Sequence, residues 1–143
     1  MVEVYNNQEV ITLRDTLLNK LEQAAQLALP LALEHSARDG GVLPMLDVVE
    51  VSIVDDHIID QVHRDFMDIS GATDVITFAH GEIVLSVETA QAYAKEYGND
   101  FERELMLYIV HGLLHLSGHE DATSSEREAM EKVQFNILEK VWS

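Results

Sequence analysis

Hydrophobic positions recur at two periods along the chain, and the points where the period changes divide it into elements. From Thr12 onward, Leu13, Leu17, Leu18, Leu21, Ala24, Ala25 and Ala28 keep helical spacing, which predicts an amphipathic helix capped by Thr12 and ended or kinked by Pro30. Glu34 to Pro44 carries Asp39-Gly40-Gly41 and a proline, the chemistry of a loop. The period then drops to two. Val49, Val51 and Ile53 alternate with Glu50 and Ser52, so Asp47 to Val54 reads as a half-buried strand. Asp55 can cap a second helix whose apolar positions are Ile58, Ile59, Val62 and Phe66, and which Ser70-Gly71 breaks. Two short runs, Asp74 to Ala79 and Glu82 to Leu85, flank His80-Gly81 and read as neighbouring antiparallel strands joined by a tight connection.

The second half of the chain returns to helical spacing. Ser86 can cap a helix running to about Tyr97 with Gly98 as terminator, and Asp100 can cap another running to Leu116 with Gly118 as terminator. A final helix is expected from Ser125, where Ser125 and Glu128 have the spacing of a capping box, and its face carries Met130, Val133, Ile137 and Val141. No repeat or low-complexity tract interrupts this order, roughly αβαββααα. It predicts an α+β fold in which a small mixed β-sheet is covered by helices. The length of 143 residues suits one domain, residues 1–143.

Composition narrows the chemistry. The absence of cysteine removes disulfides, thiolate zinc sites and a cysteine nucleophile, and fits a reducing compartment, so any metal site must use His, Asp or Glu. Residues 1–15 have no basic segment followed by an apolar run, and no stretch approaches the roughly 20 apolar residues of a membrane span. The expectation is a soluble cytoplasmic protein without a membrane partner. Lys and Arg number 9 against 26 Asp and Glu, a formal net charge of −17. That excess repels nucleic acid and anionic membranes at long range, so a polyanion would need a local positive site.

The chemically informative stretch is His111-Gly112-Leu113-Leu114-His115-Leu116-Ser117-Gly118-His119-Glu120-Asp121. His111 and His115 are four apart on an expected helix, so their rings project from one face and can reach a single cation. Gly118 can take a left-handed conformation that ends the helix and swings the chain back toward that face. A third ligand could then come from His119, Glu120 or Asp121. Two imidazoles plus one further donor leave a coordination position open, as in catalytic rather than structural zinc sites. A zinc peptidase of the HExxH type would place a general-base glutamate where this chain has Gly112, which disfavours peptidase chemistry. Glycine there serves either to leave room for a bulky substrate group or to allow close helix packing.

These residues resemble a known family. HGLLHLSGHED is similar to the signature H-G-x-L-H-L-x-G-Y-D-H of the YbeY family of endoribonucleases, the rRNA maturation factors. Arg64 followed by Thr73-Asp74-Val75-Ile76-Thr77-Phe78 resembles the family's arginine and T-D-V-L-S-F run, and Gly81-Glu82-Ile83-Val84-Leu85-Ser86 resembles its G-D-I-x-I-S. Glu102-Arg103-Glu104-Leu105 also fits, and the likeness runs from about Val49 to Ile137. Two positions depart: the family's third ligating histidine falls on Asp121, and its tyrosine falls on His119. The resemblance implies metal ligands His111, His115 and Asp121 for one Zn²⁺ per chain, with another divalent cation as an alternative. His119 competes with Asp121 for the third place, and its closeness to Gly118 argues that it points away. A carboxylate ligand adds negative charge and shifts preference toward harder cations.

The same resemblance makes Arg64, His111 and His115 the catalytic residues, with Arg64 binding the scissile phosphate bidentately. The implied activity is single-strand-directed, metal-dependent endoribonuclease cleavage in rRNA maturation at the 16S 3′ end and in ribosome quality control. Its partners would be single-stranded RNA and the ribosome or a ribosomal protein, met by a monomer. Arg103, Arg127, Lys132 and Lys140 could border an RNA groove, although the glutamates around them can equally hold them as solvated ion pairs. The competing class is a ribosome-assembly or binding factor whose metal is structural or absent. Phe66, Phe78 and Trp142 sit at periodic apolar positions and read as packing rather than base-stacking platforms.

Overall fold

Alternation along the strands decides how the layers assemble. The computed structural model describes residues 1–36, 41–67 and 75–143. Its elements are β1 (Val2–Asn6), α1 (Asp15–Glu34), a 3-10 turn (Leu43–Met45), β2 (Val49–Val54), α2 (Asp56–Met67), β3 (Val75–Phe78), β4 (Glu82–Ser86), α3 (Val87–Tyr97), α4 (Phe101–Leu116) and α5 (Ser124–Val141). The strands form a mixed sheet of order β1-β2-β4-β3, parallel except for β3, which runs antiparallel to β4 with Val75 opposite Leu85 and Phe78 opposite Glu82. Val49, Val51, Ile53, Ile83 and Leu85 belong to a large core shared with α1, α3, α4 and α5. The intervening positions Val54 and Val84, with Ile76, turn to the other side and pack with Ile59 and Val62 of α2. The period of two therefore places helices on both faces. No helix among the described residues is long and apolar enough to cross a membrane.

The expected small mixed sheet with helical cover is present, with one strand more than the pattern suggested. β1 is five residues long, and its alternation is too brief to stand out from the sequence alone. It becomes a strand by pairing in register with β2, Val2 beside Val49 through Asn6 beside Ile53. Gln26 of α1 reinforces it, its amide nitrogen donating to the Val2 carbonyl at 2.7 Å and its Oε1 accepting from the Val2 N–H at 2.9 Å.

Several element ends match the residues expected to set them. Asp55 Oδ1 accepts from the Ile58 N–H at 2.8 Å, Ser86 Oγ from the Thr89 N–H at 3.1 Å, and Gly98 is left-handed at φ 68°. Other ends differ. Helix α1 starts at Asp15 with Arg14 at its cap position rather than Thr12, and it runs through Pro30 to Glu34. The turn after the proline survives because Ala28 and Ala32 are both fully buried, so packing outweighs the one lost hydrogen bond. Asp100 occupies the expected cap position of α4 without a side-chain cap bond. The capping box of α5 uses Thr123 and Glu126 instead of Ser125 and Glu128, with both reciprocal bonds at 3.1 Å. The same S/T-x-x-E pattern occurs twice in this stretch, and the earlier copy starts the helix sooner. The expected break at Ser70-Gly71, the Thr73-Asp74 motif and part of the Glu34 to Pro44 loop lie outside the described residues, as does the Phe66 side chain.

Helix α4 is apolar nearly all round, with Leu105, Met106, Ile109, Val110, Leu113 and Leu114 fully buried, as a helix enclosed by other elements must be. Gly112 lets it approach β4. A Cβ at that position would come within 2.7 Å of the Ile83 side chain, so the glycine serves close packing rather than substrate access. Overpacking costs about 1–3 kcal/mol, more than the ~1 kcal/mol that alanine gains over glycine in a helix. Gly112→Ala is expected to lower stability in urea unfolding, and a variant more stable than the parent would contradict this packing.

Candidate metal centre

The end of α4 builds the site. Gly118 takes φ 98°, its N–H donates to the His115 carbonyl at 3.1 Å, and the His119 N–H donates back to the Leu114 carbonyl at 3.0 Å. This pair of bonds is a Schellman closure, and it reverses the chain at the point the glycine predicted. Gly41 and Val42 brace it from outside. The Val42 N–H donates to the Leu116 carbonyl at 2.8 Å, and a Cβ on Gly41 would meet that same carbonyl oxygen at 2.2 Å.

The reversal carries Asp121 back over the histidine face. His111 Nε2 and His115 Nε2 lie 3.0 Å apart, and Asp121 Oδ2 is 3.7 Å from each. Ligand atoms of these three residues all lie within 4.8 Å of one another, a spacing that can hold one divalent cation. Both rings are turned to offer Nε2. His115 Nδ1 donates to the main-chain carbonyl of His119 at 3.0 Å, and His111 Nδ1 donates to Gln134 Oε1 at 2.7 Å. Outer hydrogen bonds of this kind leave the opposite nitrogen as the free lone pair, so the donor set fits a metal. His119 does not join the cluster: its Nε2 donates to the His35 carbonyl at 2.5 Å, which holds the ring toward the end of α1.

A recess of ≈ 150 Å³ opens beside the cluster, lined by His111, Asp121, Arg127, Met130, Glu131 and Gln134. Helix α5 thus supplies one wall and brings Arg127 to it. Arg64 is not among these lining residues; it sits on α2, largely exposed, in an ion pair with Asp60 one turn earlier. His80 Nε2 donates to Glu82 Oε1 at 3.1 Å and its ring stacks on Phe78, and Trp142 lies in the main core under Lys20. A wider recess of ≈ 730 Å³ is lined in part by Asp56 and Glu88. Those acids are engaged structurally, Asp56 accepting from the Ser86 and Thr89 hydroxyls and Glu88 from the Asp56 N–H.

A family model described as Endoribonuclease YbeY matches residues 3–142. The chain belongs to the endoribonuclease YbeY family. The endoribonuclease YbeY of Carboxydothermus hydrogenoformans is 33% identical over 147 residues, covering 96% of this chain and 95% of that protein. That of Desulforamulus reducens is 32% identical over 156 residues, covering 98% and 96%. A solution structure of a Thermotoga maritima protein superposes with a TM-score of 0.67 at 23% identity, covering 99% of this chain and 89% of that one, which shows a shared fold. Membership in the YbeY family supports endoribonuclease activity at the family level, and a His111, His115 and Asp121 cluster able to coordinate a divalent metal is present among the described residues.

Two site features escaped the reading of the sequence. The His119 main-chain carbonyl carries no side-chain signal at all. Gln134 does: it is a polar residue four after Met130 and three before Ile137, on a stripe that should be apolar.

Burial pushes the His115 imidazole pKa below the ordinary value of 6.5, the neighbouring His111 pushes it the same way, and Asp121 pulls against both. The unfolded chain therefore binds this proton more readily than the folded one. His115 contributes stability that is present above pH 6.5 and is lost as the pH falls through its lower folded value. In ¹H–¹⁵N spectra of metal-free protein, the His115 ring is expected to titrate below pH 6.5, and a midpoint above 6.5 would contradict this environment.

Proposed function

We propose that this chain is a single-domain, metal-dependent endoribonuclease that cleaves single-stranded RNA in rRNA maturation at the 16S 3′ end and in ribosome quality control. The observation that carries the reading is the convergence of His111, His115 and Asp121 on one point in a YbeY-family chain. In this reading the three residues hold one Zn²⁺, with a harder divalent cation as the alternative that the carboxylate favours. The chemistry such an ion supplies is Lewis-acid stabilisation of charge on a phosphoryl oxygen.

The protein's own groups orient the phosphate. Arg64 binds it bidentately, giving up Asp60, because an exposed pair of this kind is worth only about 0–1 kcal/mol. Arg127, on the wall of the recess, is a second guanidinium available to the RNA backbone. These two local cations answer the objection raised by a net charge of −17, since contact at a few phosphates needs local rather than overall positive charge. Binding to free RNA is then weak and strongly salt-dependent, and the ribosome or a ribosomal protein supplies the remaining affinity in the cytoplasm.

The test pairs metal content with cleavage on untagged protein. Wild type is expected to carry about one zinc, retained in His119→Ala and lost in His115→Ala and Asp121→Ala. Cleavage of single-stranded RNA should fall with the metal, and Arg64→Ala should lower kcat/KM by about 10²–10³ with zinc retained, the usual cost of losing a transition-state donor. Zinc-loaded protein that binds rRNA without cutting it would replace this reading with an assembly factor.

A further inference from the structure

Gln134 occupies a position that hydrophobic packing alone would give to leucine or methionine. Its neighbours on the inner face of α5, Met130, Ile137 and Leu138, are all buried, and Gln134 itself is only 7% exposed. A buried amide without partners is destabilising, so its presence on this stripe calls for a bond that offsets the burial. That bond is the one to His111 Nδ1, at 2.7 Å and 23 residues distant in the chain. The oxygen of the amide accepts, which puts a proton on His111 Nδ1 and turns the Nε2 lone pair toward His115 Nε2 and Asp121 Oδ2.

We propose that Gln134 is a positioning residue of the metal centre, fixing the tautomer and ring plane of His111 from a helix that contributes no ligand. The proposal rests on the reading of His111 as a ligand. The two rings are held by different means. His115 is oriented from within its own turn by the His119 carbonyl, which follows automatically from the Gly118 reversal. His111 sits a turn earlier, beyond reach of that reversal, and takes its support from α5. Docking of α5 onto α4 therefore sets the metal affinity as well as the stability of the core, and the support is a side chain that substitution can remove or replace.

The experiment compares the full-length wild type with Gln134→Met, which keeps volume and loses the acceptor, and Gln134→Glu, which keeps an acceptor. Zn²⁺ dissociation constants are read by competition with a chromophoric chelator, and the His111 ring nitrogens are followed by ¹⁵N spectra of the metal-free protein. Gln134→Met is expected to weaken zinc binding by about 10–100-fold while the fold is kept, as shown by an unchanged circular dichroism spectrum. It should also abolish the preference for protonated Nδ1 on His111. Gln134→Glu should bind zinc within a few-fold of wild type, a rescue that packing alone would not produce. A folded Gln134→Met with wild-type affinity, or a Gln134→Glu as weak as Gln134→Met, overturns the proposal. Should wild type itself take up no zinc, the ligand reading of His111 falls. The ring spectra then still decide the positioning claim, which an identical His111 tautomer in wild type and Gln134→Met would overturn.

Discussion

Helix α4 is enclosed by the sheet, α1, α3 and α5 at once, and this enclosure constrains everything else in the molecule. A helix buried on nearly every side has no freedom to rotate, so residues four apart on its last turns are presented at a fixed angle. Gly112 lies so close to Ile83 of β4 that a single added carbon would collide. The histidines on either side of that contact, His111 and His115, inherit its rigidity. The chain reversal at Gly118 brings Asp121 back to the face they share. A site assembled on a packed helix and a hydrogen-bonded turn is positioned more tightly than one assembled from loops alone.

The electrostatics of the cluster follow from the same geometry. Two imidazole nitrogens aimed at one another at 3.0 Å are unfavourable as bare lone pairs, and burial together with proximity disfavours charging His115. A carboxylate 3.7 Å from both supplies negative charge without a proton. The arrangement is suited to a divalent cation, which meets all three donors at once. With a carboxylate as its third member, the cluster carries more negative charge than a three-histidine set would.

Much of this was legible in the chain and some was not, for identifiable reasons. The pairing of His111 with His115 and the reversal at Gly118 could be read because each meets a local demand, one helix face and one left-handed residue; these left His119, Glu120 and Asp121 open as the third donor, and the family resemblance singled out Asp121. Ser86, Gly98 and Asp55 were legible as helix ends because their bonds are to backbone three or four residues away. β1 was not, because five residues become a strand only through a partner more than forty residues on. The continuation of α1 through Pro30 was hidden likewise, since burial of Ala32 in the core overrides the local preference. Gln134 was visible as a polar residue on an apolar stripe, yet its role depends on how α5 lies against α4, which no local pattern specifies. Local bonds could be read; tertiary ones had to be seen.

The central claim is that two imidazoles and one carboxylate share a cation, and X-ray absorption at the zinc edge of the zinc-loaded protein tests it most directly. The account predicts two imidazole nitrogens at about 2.0–2.1 Å, with the remaining ligands oxygen at about 2.0–2.2 Å, and loss of one oxygen on Asp121→Ala. A third imidazole in the shell, or a shell of oxygens alone, would contradict it.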